Sequence, residues 1–215
     1  MQVNPEWIIP HNIVKTDVLK HAGDSAYFAR NRYSIIDKSS GEKLNVADVG
    51  SDALLSGNIR ISQKGGVGNS LGRIVFRFPN NFSIYLHDTN NRGAFQRDRR
   101  TLSHGCVRVQ KPFELAKYLL PGVDEWTLEC IRISMDEPPV TERGREWVRR
   151  HSGAERPFRL ISYHDVTPHV PLYILYYTAF PNPKTGAVDF WPDLYGFDMV
   201  ISKELKWISE ASSSR

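Results

Sequence analysis

Apolar and polar positions along the chain change period several times, and each change marks an element. After an opening fenced by Pro5 and Pro10, Ile13, Val14, Val18 and Leu19 recur at helical spacing behind Asn12, a residue able to cap a helix. Lys20 and His21 suit a last turn before Gly23, and Asp24 offers a second cap ahead of a short apolar run. Residues 37–58 are polar and rich in turn formers. The pattern predicts a partly helical cap subdomain over about 11–58, set ahead of a core over 59–215, within one domain spanning 1–215.

The period then drops to two. Arg73-Ile74-Val75-Phe76-Arg77-Phe78 alternates, Pro79-Asn80-Asn81 turns the chain, and Phe82 to Leu86 returns it to His87, which predicts a hairpin. A polar, turn-rich loop covers 89–102. Pro112 suits the first position of a helix that Pro121-Gly122 stops, a second helix is predicted over 141–151, and two strands flank the turn at 182–186. Residues 126–133 alternate like a strand, which makes Cys130 a small buried hydrophobe. The fold class read from this pattern is α+β, mainly β, in keeping with an 11% aromatic content.

With 215 residues, 40% of them hydrophobic and 24% charged, the chain is long enough for one sizeable folded domain. A net charge of +4 fits a polyanionic surface or an anionic polymer as partner. Nucleic acid is not indicated: the densest basic stretch, Arg97 to Arg100, is interrupted by Asp98 and has no recognition motif beside it. No stretch approaches the ~20 apolar residues of a transmembrane helix. Met1-Gln2-Val3-Asn4-Pro5 lacks the basic start and apolar run of a secretory signal.

Residues 63–72, Gln-Lys-Gly-Gly-Val-Gly-Asn-Ser-Leu-Gly, form a glycine-rich loop. The spacing is not that of a phosphate cradle, because no Gly-Lys-Ser/Thr follows and the next element is a strand. A flexible substrate-side loop or a plain connector is expected there.

The two cysteines could form a disulfide, be inert buried thiols, or include one reactive thiol. Cys106 stands apart because the run Ser103-His104-Gly105-Cys106-Val107-Arg108 follows the loop after His87, so two histidines could reach it. A thiol near its reference pKa is only a few per cent thiolate at pH 7, so a nucleophilic cysteine needs a base or a positive field beside it. Gly105 permits a tight turn, and the amides of Gly105 and Cys106 are candidate donors to an oxyanion. Inert packing of Cys106 is the ordinary alternative. A metal site built from Cys106, His104 and His87 has no supporting spacing.

The segment Tyr85-Leu86-His87-Asp88-Thr89, followed by Ser103-His104-Gly105-Cys106-Val107-Arg108-Val109, closely resembles the signature of the L,D-transpeptidase (YkuD) family. Asn69-Ser70-Leu71-Gly72-Arg73, Phe95-Gln96-Arg97-Asp98 and Leu175 to Phe180 further resemble its large, YcbB-type branch. The resemblance implies a β-sandwich-like catalytic domain carrying the cap, with a cysteine acyl-enzyme mechanism that uses no cofactor and no metal. It implies peptidoglycan tetrapeptide stems as donor and acceptor, carbapenem-type β-lactams as inhibitors, and a place in the periplasm or cell envelope.

By the same resemblance Cys106 is the nucleophile and His87 the general base, oriented by the Asp88 carbonyl. His104 and Gly105 line the oxyanion side, Ser103 supports the turn and Tyr85 contacts substrate. Arg108 stands where many members have Asn, and either clamps a stem-peptide carboxylate or pairs with a nearby Asp. The acceptor is the amine of a second stem or, in a carboxypeptidase, water; a non-catalytic peptidoglycan-binding module is the alternative from another class. In the family, strands precede the segment resembling Asn4-Pro5-Glu6-Trp7, whereas only Met1-Gln2-Val3 precede it here. The expectation is a fold lacking its N-terminal strands, with an exposed sheet edge or a cleft near its start.

Overall fold

The computed structural model describes residues 1–103 and 105–213, with 206–213 as backbone only. It divides into two compact units, Met1–His169 and Val170–Arg215. The first unit opens with β1 (Gln2–Val3), β2 (Trp7–Ile8), α1 (His11–Ile13), α2 (Ser25–Arg30), β3 (Tyr33–Asp37) and β4 (Lys43–Leu44). It continues through α3 (Ser51–Leu55), β5 (Ile59–Gln63), β6 (Ile74–Phe76), β7 (Leu86–His87) and β8 (Val107–Arg108). Three helices follow, α4 (Pro112–Leu119), α5 (Glu125–Ser134) and α6 (Glu142–Arg150).

Two four-stranded sheets organise this unit, in the orders β1-β6-β7-β8 and β2-β5-β3-β4. In the first, β1 and β7 run antiparallel to β6, with Val3 opposite Ile74 and Phe76 opposite Leu86, while β8 runs parallel to β7. Because side chains alternate along a strand, Val3, Ile74, Phe76 and Leu86 share one face. That face packs on Phe113, Ala116 and Leu120 of the α4 segment and on Ile131 and Met135 of the α5 segment. The second sheet has a core of its own, where Ile35 and Ile61 pack on Val14, Val18, Phe28, Val49 and Leu54. Each sheet is thus covered by helices rather than by the other sheet. The architecture is mixed α/β, not mainly β and not a simple sandwich.

The expected cap is likewise redrawn. Its sheet borrows β2 and β5 from outside 11–58, so the lobe runs from about Trp7 to Gln63 and is as much sheet as helix. The helix expected from Asn12 starts one residue earlier behind Pro10, without a side-chain cap, and changes pitch through a π turn at Val14–Val18 and a 3-10 turn at Leu19–His21. Asp24 does cap α2, accepting from the Tyr27 amide at 2.9 Å. The core expected over 59–215 is divided at 169/170.

Residues 126–133 are helical, not a strand. Asp124 accepts from the Thr127 amide at 3.0 Å and closes the first turn of α5, a capping signal that decides between two periods that a short apolar run cannot separate. The expected α6 is present and is anchored from α5: Glu129, 2% exposed, accepts from the amides of Val140 and Thr141 at 2.8 and 2.9 Å and from the Thr141 hydroxyl at 3.0 Å. The Thr141 hydroxyl oxygen in turn caps α6 by accepting from the Gly144 amide at 3.0 Å.

No free edge is found at β1. Besides its pairing with β6, the Val3 amide donates to the Ser162 carbonyl at 2.9 Å and the His164 amide to the Met1 carbonyl at 3.0 Å, so β1 is bonded on both sides. The second unit holds the expected hairpin, β9 (Ala179–Pro181) with β10 (Val188–Phe190), and α7 (Phe197–Ser213). Asn182 accepts from the Lys184 amide at 2.9 Å in its turn, and Tyr176, Tyr195 and Phe197 form an aromatic cluster. Among the described residues no helix is long and apolar enough to cross a membrane.

Glu129→Ala leaves two partly buried amides and a hydroxyl without their acceptor. Urea denaturation is expected to show a loss of about 2–3 kcal/mol. A loss below about 0.5 kcal/mol, the range of ordinary surface substitutions, would show that this carboxylate does not hold α6.

Candidate active site

The two segments that carry the signature meet as parallel neighbours. Leu86 is paired with Val107 and His87 with Arg108, and the ladder is closed by Val107 N–H to the Tyr85 carbonyl at 3.0 Å and Val109 N–H to the His87 carbonyl at 2.7 Å. This register has a direct consequence. Leu86 faces the core, so His87 and Arg108 lie on the opposite face, and the same alternation puts Tyr85 and Cys106 there with them. Four of the residues singled out in the sequence therefore share one surface. β8 is the sheet's edge strand; on the shared face His87 is buried while Tyr85, Cys106 and Arg108 are half-buried.

Cys106 is half-buried at the entrance to β8. The turn before it is closed by Ser103, whose hydroxyl donates to the Cys106 carbonyl at 2.7 Å and accepts from the Gly105 amide at 3.2 Å. Gly105 adopts φ +118°, a conformation that favours glycine, and a Cβ there would press on the Ile84 side chain at 3.0 Å. Of the two amides expected to face an oxyanion, that of Gly105 is engaged by Ser103. The Cys106 amide has no acceptor among the described residues. His104 lies outside the described residues.

His87 is 5% exposed. Its Nδ1 contacts the Asp88 carbonyl, and because a carbonyl can only accept, the ring proton sits on Nδ1 and Nε2 is left as the basic nitrogen. Burial lowers the imidazole pKa below its ordinary 6.5. Backbone hydrogen bonding to Asp88 opposes this and the Arg108 charge adds to it. No direct hydrogen bond joins the imidazole to the Cys106 thiol; the two side chains are diagonal neighbours across the β7–β8 pair. Such contacts often tighten only when substrate is bound.

Asp88, 2% exposed, accepts from the Arg73 amide at 2.8 Å through Oδ2. The Arg92 guanidinium lies 2.6 Å from Oδ1, a charge contact whose angles are not those of a hydrogen bond. The same guanidinium donates to the Gln110 carbonyl at 2.6 Å, so Arg92 links the residue after β7 to the segment after β8. Arg108 donates to the Leu102 carbonyl at 3.3 Å, its buried Nε has no partner, and no carboxylate among the described residues is within ion-pair distance of it. The Asp pairing considered for Arg108 is therefore not formed. Tyr85 is half-buried under the Arg77 guanidinium, 4.6 Å from its ring centre.

A groove of about 460 Å³ between the two sheets, lined by Asn4, Ser34, Lys43, Ser62 and Arg159, contains neither His87 nor Cys106. Sequence reading passed over Gln63 and Arg92, and took Asn69 and Gly72 only as marks of resemblance. The available signal was a pair of amide side chains bracketing a glycine-rich run.

Cys130 is buried, and burial raises its thiol pKa, while Cys106 is half-exposed beside a buried imidazole. Iodoacetamide at neutral pH is expected to label Cys106 at least ~10-fold faster than Cys130, read by peptide mass spectrometry. Equal rates in the folded protein would remove the distinction between the two thiols.

Comparison with known proteins places these features. The family model for the YkuD L,D-transpeptidase catalytic domain matches residues 1–135, the stretch that contains both signature segments. A protein of Haemophilus influenzae named "Putative L,D-transpeptidase" is 31% identical over 208 residues, covering 95% of this chain and 37% of the relative. The chain thus spans little more than a third of that relative's length. By the family match over most of the first unit, and by the strand pair that carries its signature, this chain belongs to the YkuD L,D-transpeptidase family.

Proposed function

We propose that the chain is a peptidoglycan L,D-transpeptidase working through a Cys106 thioester, and that it forms 3→3 cross-links in the periplasm or cell envelope. The observation that carries the reading is the β7–β8 register, which supports a nucleophile, a buried base and an arginine without a carboxylate partner on one face. His87 Nε2 takes the thiol proton, and Cys106 Sγ attacks the carbonyl carbon of the third residue of a tetrapeptide stem, usually meso-diaminopimelate. The Cys106 amide is aimed at the oxyanion, with His104 and Gly105 lining that side. The bond to the terminal D-Ala breaks as its nitrogen receives the proton from His87, leaving a thioester. The side-chain amine of a second stem then attacks, gives a proton to His87, and expels the thiolate. Covalent catalysis in this way replaces one difficult exchange by two easier acyl transfers.

Arg108 has a guanidinium with spare donors and no carboxylate partner, which suits a bidentate clamp on a stem carboxylate. Tyr85 flanks it on the same face. Asp88 and Ser103 act through backbone geometry, one at the imidazole and one at the turn. In this reading the Trp7–Gln63 lobe and the loop at 89–102 serve as opposite walls of the substrate cleft. Support for the lobe's role is that β5 runs straight into the loop packed beside His87.

Incubation with purified disaccharide-tetrapeptide, read by mass spectrometry, tests the reading. A dimer with release of D-Ala is expected, and Cys106→Ala should abolish it while retaining the fold. A tripeptide instead of a dimer makes water the acceptor, and an unchanged substrate leaves a binding module. A carbapenem is expected to add once to Cys106, with no adduct in Cys106→Ala.

The depressed pKa of His87 fixes the pH behaviour. A buried imidazole resists protonation, so the base form survives to lower pH, and the acid limb of kcat/KM is expected below 6.5. Stability has the same sign. Above 6.5 both folded and unfolded forms are neutral; as pH falls below it the unfolded chain binds the proton first, and stability is lost until the folded value is passed. An acid limb above 6.5 would show that the base is not this buried histidine.

A further inference from the structure

The glycine-rich loop expected to be flexible is held by two buried amide side chains. Asn69 is 0% exposed. Its Nδ2 donates to the carbonyls of Pro5, Gln63 and Lys64 at 3.2, 3.2 and 3.1 Å, and its Oδ1 accepts from the Leu71 amide at 2.8 Å. Its own carbonyl accepts from the Gly72 amide at 2.9 Å. Gln63 secures the other side, accepting from the Ser70 amide at 2.8 Å and donating to the carbonyls of Asn31 and Gly68 at 2.9 and 3.3 Å. A connector between two strands needs no such saturated buried amide, since its polar groups can be left to water.

These bonds converge on the base. Gly72 has φ +65°, and a Cβ there would overlap the Asp88 carboxyl group, so the Asp88 side chain occupies space that only glycine leaves open. The next residue, Arg73, donates its amide to the same carboxylate at 2.8 Å, and the Asp88 amide donates to the Ile74 carbonyl at 2.9 Å. Asp88 is thereby fixed from residues 72–74, and its carbonyl is the acceptor at His87 Nδ1. The Leu71 backbone also bears on the ring.

We propose that Asn69 and Gly72 are positioning residues for His87: through Asp88 they keep the ring proton on Nδ1 and leave Nε2 free to accept the thiol proton. The inference rests on the reading of His87 as the base. If the Asp88 carbonyl turns away, a neutral imidazole is free to carry its proton on Nε2, and in that form it cannot accept one there. Neither residue touches substrate in this scheme; each acts through the imidazole.

The test is imidazole ¹⁵N NMR of the histidine-labelled chain, with the His87 signals assigned by their loss in His87→Gln. The wild-type ring is expected as the Nδ1–H tautomer above its pKa. In Gly72→Ala and in Asn69→Ser the Nε2–H form should appear, kcat should fall about 10- to 100-fold with KM within about twofold, and the acid limb should move. Val67→Ala, exposed on the same loop, should change none of these. If either variant fails to fold, the other decides. An unaltered tautomer and pH profile in a folded variant, whatever its melting temperature, overturns the proposal. Because the tautomer is read without turnover, a chain that makes no cross-links but still loses its Nδ1–H form in the variants refutes the proposed function and leaves the positioning role standing.

Discussion

Everything at the candidate site depends on the two backbone hydrogen bonds that lay β8 beside β7, from Val107 to Tyr85 and from Val109 to His87. Parallel neighbours cannot be joined by a tight turn; the chain must leave the end of one strand and return to the start of the next, which takes a dozen residues or more. The polar loop after His87 meets that requirement. Its length has a topological reason before any functional one. The same pairing decides what shares a face. A slip of one residue would send Cys106 and Arg108 to the core side and bring Val107 to the site. Arg92 adds a tie across the open end of the pair, one nitrogen at Asp88 and another on the Gln110 carbonyl.

Burial of His87 and Asp88 works against stability and in favour of chemistry. A carboxylate with 2% exposure has lost most of its water, and an amide from Arg73 and the charge of Arg92 stand in for it. The imidazole is compensated only in part: burial outweighs the backbone contacts of Asp88 and Leu71 and the Asp88 charge, and Arg108, opposite it in the ladder, adds to the effect of burial. Its neutral form is therefore favoured, which is the state a base needs to take a thiol proton. One arrangement thus keeps the histidine unprotonated and leaves an arginine without a carboxylate partner beside it.

The parts legible in the sequence were the local ones. Pro112 at the start of α4, Thr141 before α6 and the Asn182 turn are signals within a few residues of what they specify. His87 and Cys106 stand out in the sequence because the proposed nucleophile and base need particular residue types in short motifs. What failed was non-local. The run at 126–133 suits a strand and a helix about equally, and only the Asp124 cap separates them. The second sheet went unseen because β2 and β5 meet across the whole lobe, and nothing in the polar stretch at 37–58 shows that Ile35 will pair with Ile61. The exposed edge expected at β1 is covered by residues 162–164, far along the chain.

The glycines at 63–72 teach a related point. Glycine-rich composition reads as mobility because glycine has the most freedom to lose, yet two of these glycines are present for close approach. A side chain at Gly65 would run into the Asn4 carbonyl, and one at Gly72 into Asp88. The entropy lost in ordering such a loop has to be offset locally. The buried amides of Gln63 and Asn69 do so with hydrogen bonds that no water competes for. Gln63 is also the last residue of β5, and its side chain reaches the Asn31 carbonyl within the Trp7–Gln63 lobe. The second sheet, its loop and the imidazole therefore form one continuous hydrogen-bonded path. In the proposed scheme the lobe thereby helps to orient the imidazole, apart from any contact it makes with substrate.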